Sequence, residues 1–280
     1  MELVVLGGSG GWPRAGQGCS GYLIEHDGYR LLVDPGHGVL GELLRHCDPA
    51  AVDAVLISHG HLDHCADLVP LLRARMLGAN GSGSAAAPLP VLAPEGALDG
   101  LLALDPVRPD GLELMSAGSG DKIIFGPLTV LAQELRHQVV TFGYRIISDD
   151  GRVLAYTADS GESADRVDLA RHAGLLVAGA SYPDQIPAED ARYLSDAAQI
   201  ARLAIEADVD HCVLTDLLPF TDPFTALLRA RGAGFDAVEV ARPGLRRTVD
   251  PRPDAVGLPR RAAQPVIAIT NAEPRRASLS

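Results

Sequence analysis

The segment Ser58-His59-Gly60-His61-Leu62-Asp63-His64 constrains this 280-residue chain more than any other. It follows Ala54-Val55-Leu56-Ile57, an aliphatic and β-branched run that reads as a buried strand, so the cluster falls where that strand ends. Its imidazoles and carboxylate offer borderline-soft nitrogen beside hard oxygen, a ligand set that suits Zn²⁺ and that Mn²⁺ or Fe²⁺ also accept. One histidine beside a strand is more often solvated or hydrogen-bonded than metal-bound, but H-x-H-x-D-H spacing is specific. His59 and His61, two apart, can face one ion, while the adjacent Asp63 and His64 turn to a second.

Bulk properties narrow the classes around this feature. The 47% of apolar residues can fill a sizeable core. The net charge of −12, from 24 Lys and Arg against 36 Asp and Glu, repels polyanions and argues against tRNA or general nucleic-acid binding. Cys19, Cys47, Cys65 and Cys212 form no C-x-x-C pair, which fits a reducing compartment better than a disulfide framework. Cys65, next to His64, reads as a small buried thiol. Met1 to Leu6 reads as a strand and not as a signal peptide, and no apolar run is long enough to span a bilayer. A cytoplasmic protein without membrane contact is expected, and a homodimer is compatible with the composition.

Along the chain, Gly7 to Pro13 lacks the Gly-Lys-Ser/Thr of a phosphate-binding loop and reads as a plain loop. Ser20–Glu25 and Tyr29–Val33 form a hairpin around His26-Asp27-Gly28, and residues 36–46 carry helical spacing. A helix follows His64 and ends near Gly78; Asn80 to Ser84 reads as a flexible loop. Pro90 to Ala93 reads as a strand and Asp99 to Leu104 as a short helix. From Asp121 to Thr157 four strand candidates form a meander, after which helices and strands alternate up to Val240. Two sheets packed together and flanked outside by helices, an α/β architecture, account for this order. Residues 1–249 would form one domain. The Pro/Arg/Ala-rich tail is 250–280, and residues 251–280 carry five Arg against Asp254 and Glu273. It either stays disordered or lies across a partner, with an edge strand over 265–270 as a further option.

Three more ligand candidates follow strands as His59 does: His137, Asp159 and Asp216, the last also readable as a turn-capping aspartate. Strand ends gather on one sheet edge, so distant residues can share a pocket. Four other histidines, His26, His46, His172 and His211, read as surface or structural.

The order His59-x-His61-x-Asp63-His64, then His137 followed by Phe142-Gly143-Tyr144-Arg145-Ile146, then Tyr156-Thr157-Ala158-Asp159-Ser160, resembles the metallo-β-lactamase fold superfamily. Within it, the branch of ribonuclease Z and its phosphodiesterase relatives is the most similar. The likeness covers roughly residues 1–245. It implies an αββα sandwich of mixed sheets and a centre of two divalent metal ions, zinc foremost. His59, His61 and His137 would hold one ion; Asp63, His64 and residue 216 the other; Asp159 would bridge them. Two positions depart from the pattern. Asp216 stands where the family has His, which makes the second site richer in oxygen and open to Mn or Fe. Tyr193, in Arg192-Tyr193-Leu194-Ser195, stands where relatives carry a catalytic His, and a phenol is a weaker general acid. The long arm with which ribonuclease Z grips tRNA has no room between Ala180 and Tyr193, so a small-molecule substrate is implied.

The expected activity is hydrolysis by a metal-bound hydroxide, with Asp63 and Asp159 orienting the nucleophile and Tyr193 as acid. Asp34 would support a metal-binding imidazole, and Ser181 and Tyr182 are candidate substrate contacts. A small-molecule, cyclic-nucleotide-type phosphodiesterase is the first reading. A carbon-ester, lactone or thioester hydrolase of a biosynthetic pathway is the second. A metal-bound but catalytically weak binding protein is the third.

Overall fold

The computed structural model describes residues 1–78, 86–105, 111–252 and 266–269. The loop expected over Asn80 to Ser84 lies outside the described residues, as does most of the tail. Two eight-stranded mixed sheets face each other. The first contains β1 (Glu2–Ser9), β2 (Gly18–Cys19), β3 (Gly21–His26), β4 (Tyr29–Val33), β5 (Ala54–Leu56), β6 (Leu89–Pro94) and β7 (Leu112–Ala117), together with β15 (Arg246–Thr248), which returns to pair with β1. The second contains β8 (Lys122–Phe125), β9 (Leu128–Leu135), β10 (Thr141–Ser148), β11 (Val153–Tyr156), β12 (Leu175–Gly179), β13 (His211–Thr215), β14 (Val238–Val240) and β16 (Val266–Ile269). The expected meander is β8 to β11, paired antiparallel in sequence order. The strand weighed for 265–270 is present as β16, parallel to β8.

Alternation of side chains explains why both sheets are buried on two faces. In β1, Leu3 and Val5 join the cluster between the sheets while Val4 and Leu6 face outward to a helix layer. In β12, Leu175 and Val177 point inward while Leu176 and Ala178 meet the opposite helices. The helices α1 (Val39–Leu43) and α3 (Leu68–Leu77) cover the first sheet, and α5 (Ala164–Ala170), α6 (Ala197–Glu206) and α7 (Pro223–Gly232) cover the second; α2 (Leu62–Cys65) and α4 (Asp99–Leu104) are short connectors. Asp196 and Gln199 close a capping box that starts α6, a sequence signal for its boundary. This is the αββα sandwich expected from the sequence.

Two local readings are corrected. The helix expected over residues 36–46 shrinks to α1, because Gly38 takes φ 84° and Gly36 lies against the backbone of Asp63, whose carbonyl would stand 1.8 Å from an added Cβ. The glycine segment after Leu6 is not a plain loop: it extends β1 to Ser9 and then reaches the His/Asp cluster.

Strand direction places the site. β1, β4, β5, β9, β11 and β13 all end on one edge of the sandwich, so the residues after them converge. Asp34, Ala158 and Asp216, just past β4, β11 and β13, adopt left-handed backbone at φ 47°, 48° and 55°. Such conformations cost roughly 1–3 kcal/mol each and persist where surrounding bonds fix them.

Candidate metal centre

The side chains of His59, His61, His137, His64, Asp63, Asp159 and Asp216 meet at this edge. Two groups can each hold an ion: His59, His61 and His137, and Asp63, His64 and Asp216, with the ligand atoms of each within 4.8 Å of one another. In the first, His61 Nδ1 lies 3.0 Å from His59 Nε2 and 3.3 Å from His137 Nε2. In the second, His64 Nε2 lies 3.7 Å from Asp63 Oδ2 and 3.6 Å from Asp216 Oδ1. Asp159 stands beside both: its Oδ2 lies 3.6 Å from His64 Nε2 and 4.0 Å from His137 Nε2, and with His59 and His64 it makes a further group able to hold an ion.

These residues fit divalent ions on evidence other than their spacing. His64 Nε2 and Asp159 Oδ1 are buried without a hydrogen-bond partner, which a bound cation would correct. The opposite ring nitrogens are already engaged, fixing which nitrogen faces inward. His64 Nδ1 lies 2.8 Å from Asp34 Oδ2, His59 Nδ1 3.0 Å from Ser58 Oγ, and His137 Nδ1 3.1 Å from the Tyr193 carbonyl.

Asp34 is the hub of this support. It is fully buried, and besides His64 it accepts bonds from the Ser58 N–H at 2.7 Å, the Ser58 hydroxyl at 2.5 Å and the Tyr156 hydroxyl at 2.6 Å. The Gly11 N–H donates to Asp63 Oδ2 at 2.7 Å, and the Ser20 hydroxyl donates to Asp216 Oδ1 at 3.2 Å. Gly10 lets this loop approach, since an added Cβ would lie 2.5 Å from the Asp216 carbonyl. Sequence reasoning missed Gly11, Ser20, Ser58 and Tyr156. Only Tyr156 and Ser58 carried a signal, by adjoining the histidine and Asp159 motifs.

The two groups differ electrostatically. Burial, then the charge of His64, lowers the His59 imidazole well below its ordinary value. Burial, then His137, lowers His61. Neutral imidazole is the form that binds metal. For His64 burial works against the proton, but the carboxylates of Asp159 and Asp34 outweigh it and hold the pKa well above normal. Burial would also raise Asp159, yet His64, His137 and His59 hold it well below the carboxylate range. Burial, reinforced by the Asp159 charge, pushes Asp216 well above that range.

The remaining candidates sit around this core. Tyr193 is half-buried and its carbonyl meets His137. Ser181 is buried, and its carbonyl accepts from the Leu218 N–H at 3.2 Å and from the Thr221 hydroxyl at 3.5 Å. The Tyr182 hydroxyl donates to Asp190 at 2.8 Å. His26, His46 and His172 each pair with an acid, namely Asp149, Glu42 and Asp208, and His211 is exposed.

This fold and cluster define a class, the metallo-hydrolases of the β-lactamase superfamily. Residues 29–216 match the family described as the beta-lactamase superfamily domain, and the chain belongs to that superfamily. The chain is 29% identical to the probable metallo-hydrolase YhfI of Bacillus subtilis, over 79% of this chain and 88% of that one. The crystal structure of YhfI superposes with a TM-score of 0.79 at 26% identity, covering 88% of this chain and 99% of that one. A ribonuclease Z of Methanopyrus kandleri is 31% identical over 87% of this chain and 97% of its own. A diphosphatase of the PhnP family shares the fold, with a TM-score of 0.70, 19% identity and coverage of 89% and 98%.

Proposed function

We propose that this chain is a metal-dependent phosphodiesterase acting on small molecules of the cyclic-nucleotide type. The observation that carries the reading is Asp159, whose Oδ2 lies between the two ligand groups, next to both His64 and His137. His59, His61 and His137 would hold one divalent ion, zinc by ligand type. Asp63, His64 and Asp216 would hold the other, zinc again or, with its extra oxygen, manganese or iron. When bound, such ions lower the pKa of a coordinated water from about 15.7 toward about 7 and offset charge developing on phosphoryl oxygens.

The protein's own groups then orient and shield. Asp63, its Oδ2 fixed by the Gly11 N–H, and Asp159 orient the attacking water. Asp34 holds the His64 ring, and the Tyr193 carbonyl holds His137. As the P–O bond breaks, the leaving oxygen needs a proton, which Tyr193 would supply from its phenol. Ser181 and Tyr182 line the neighbouring loop, where they would shape the substrate's position. The names of two relatives, a ribonuclease Z and a diphosphatase, support phosphorus–oxygen chemistry. The acidic chain supports a small substrate over tRNA. Four unpaired cysteines support a reducing, cytoplasmic setting, and among the described residues no helix is long and apolar enough to cross a membrane.

Purified protein of known metal content, assayed on bis(p-nitrophenyl) phosphate, cyclic AMP and a lactone panel, tests this. Selective phosphodiester turnover that chelation removes and metal restores is expected. Selective lactone turnover would instead establish a carbonyl-directed hydrolase, and silence with both ions bound would leave a binding protein.

A further inference from the structure

Apolar side chains large enough to be useful in a core are exposed around the centre. Trp12, Leu62, Val139, Val140 and Phe220 all stand in solvent. Leu62 sits between the ligands His61 and Asp63, the two valines follow His137, and Phe220 follows Asp216 within the same turn-rich segment. Trp12 comes directly after Gly11, whose N–H holds Asp63. Other exposed apolar side chains, such as Leu77, Leu104 and Phe224, are scattered elsewhere; these five are set apart by lying close in the chain to the ligand candidates or to the loop that holds Asp63.

Two of them form a pair. The rings of Trp12 and Phe220 lie 6.4 Å apart between centroids, tilted by 46°, and they are 51% and 70% exposed. Their loops are tied to each other and to the centre. The Gly10 N–H donates to the Leu217 carbonyl at 3.0 Å, and the Ser9 hydroxyl donates to the Trp12 carbonyl at 2.7 Å. The Arg14 guanidinium donates to the carbonyls of Leu217 and Leu218, each at 3.3 Å. On the other side, Ser181 holds the turn that presents Phe220 through Leu218 and Thr221. The pair is therefore tied to the centre before any ligand arrives, the Trp12 loop through the Gly11 N–H on Asp63 and the Phe220 loop through its own Asp216.

We infer that Trp12 and Phe220 form a stacking subsite for a planar aromatic ring of the substrate, a nucleobase, whose phosphate lies toward the Asp63 and Asp216 side chains. This rests on the phosphodiesterase reading for the phosphate end, and adds what the ligand cluster cannot say, namely which substituent is recognised. Stacking needs only the two faces of a π-system, so several bases are accepted. The negative chain charge limits the occupant to a mononucleotide in preference to a polymer.

Trp12 is the sole tryptophan, so its fluorescence reports this place alone. Metal-loaded full-length protein is titrated with adenosine 5′-monophosphate and, separately, with ribose 5-phosphate, which has the same phosphate and sugar but no base. A saturable change with the nucleotide and a much weaker affinity for the sugar phosphate are expected. Phe220→Ala, at an exposed position and with an unchanged unfolding midpoint, should weaken nucleotide binding ~5- to 100-fold and leave ribose 5-phosphate unaffected. Equal responses to both ligands, no response to either, or an emission shift that follows protein concentration because the patch joins two copies would each overturn the subsite. Nucleotide binding at Trp12 without phosphodiester turnover would sustain the subsite and sink the catalytic reading; turnover indifferent to Phe220 and to the base would do the reverse.

Discussion

The two halves of the centre are built from different chemistry. One presents three imidazoles, two of which burial and neighbouring rings hold below their ordinary pKa, so the ligands are ready to receive a cation. The other presents a single imidazole among carboxylates, with His64 held well above its ordinary pKa and Asp216 pushed well above its own. The first group would meet a cation as neutral imidazoles, whereas the second holds protons more tightly, so an ion there would compete with them. Two ligand groups beside one Asp159 would thus differ in preferred metal and in sensitivity to acid, the carboxylate group also being the more buried.

The largest effect that bears on this contrast concerns Asp34, which touches the second half directly through His64 and the first only through Ser58, whose hydroxyl lies against both Asp34 and His59. Asp34→Ala strands the Ser58 N–H, the Tyr156 hydroxyl and the His64 ring in a buried place, at a cost of about 3–5 kcal/mol in unfolding free energy. Metal affinity of the second half should fall about 10- to 100-fold, and that of the imidazole half by less, since Asp34 reaches His59 only through the Ser58 hydroxyl. Denaturant unfolding and metal analysis of the variant check both, and equal loss from the two halves would erase the distinction.

Acidification gives a smaller, graded effect. In the metal-free protein a raised pKa means the group still holds its proton above its usual range, so His64 and Asp216 both compete with the ion as pH falls. His59 and His61, with lowered pKa, stay neutral further into acid. Lowering the pH from neutrality should therefore empty the second half first, its affinity dropping about tenfold to a hundredfold per pH unit as one or two protons return. Metal content after dialysis across a pH series reads this directly; simultaneous release of both ions would contradict it. Asp216→His should shift the second half toward zinc.

The smallest effect concerns sulfur. Burial, with Asp34 next, pushes the Cys65 thiol up to about 12, and its Sγ–H donates to the His61 carbonyl at 3.3 Å. Alkylation at neutral pH should leave Cys65 untouched in folded protein, and Cys65→Ala should keep the metal content of both halves. Rapid labelling would mean that a thiolate takes part after all.

Much of the sandwich was legible because strands buried on two faces write themselves as aliphatic runs, as in Leu31 to Val33 and Leu175 to Ala178, and because the capping box at Asp196 marks its helix. The ligand candidates were legible for the same reason, each following such a run. What escaped depends on partners distant in sequence. Gly11 gained meaning only when β1 was laid beside β3, bringing its N–H to Asp63, fifty-two residues away. The short strands β2, β7 and β15 have little alternation of their own and are stabilised by neighbours already in place. Asp34 was legible in both its parts: Asp-Pro-Gly is turn chemistry, which its left-handed backbone makes, and its carboxylate meets the His64 imidazole.

The ligands are divided between the layers: His59, His61, Asp63 and His64 come from loops of the first sheet, whereas His137, Asp159 and Asp216 come from the second. Cations drawing on both would act as rivets through the sandwich, so that holding the layers together at that edge and performing chemistry there become one property. Resistance to heat should then rise with free metal concentration, and a variant that loosens its grip on the ions would be recognised first by how readily its layers part.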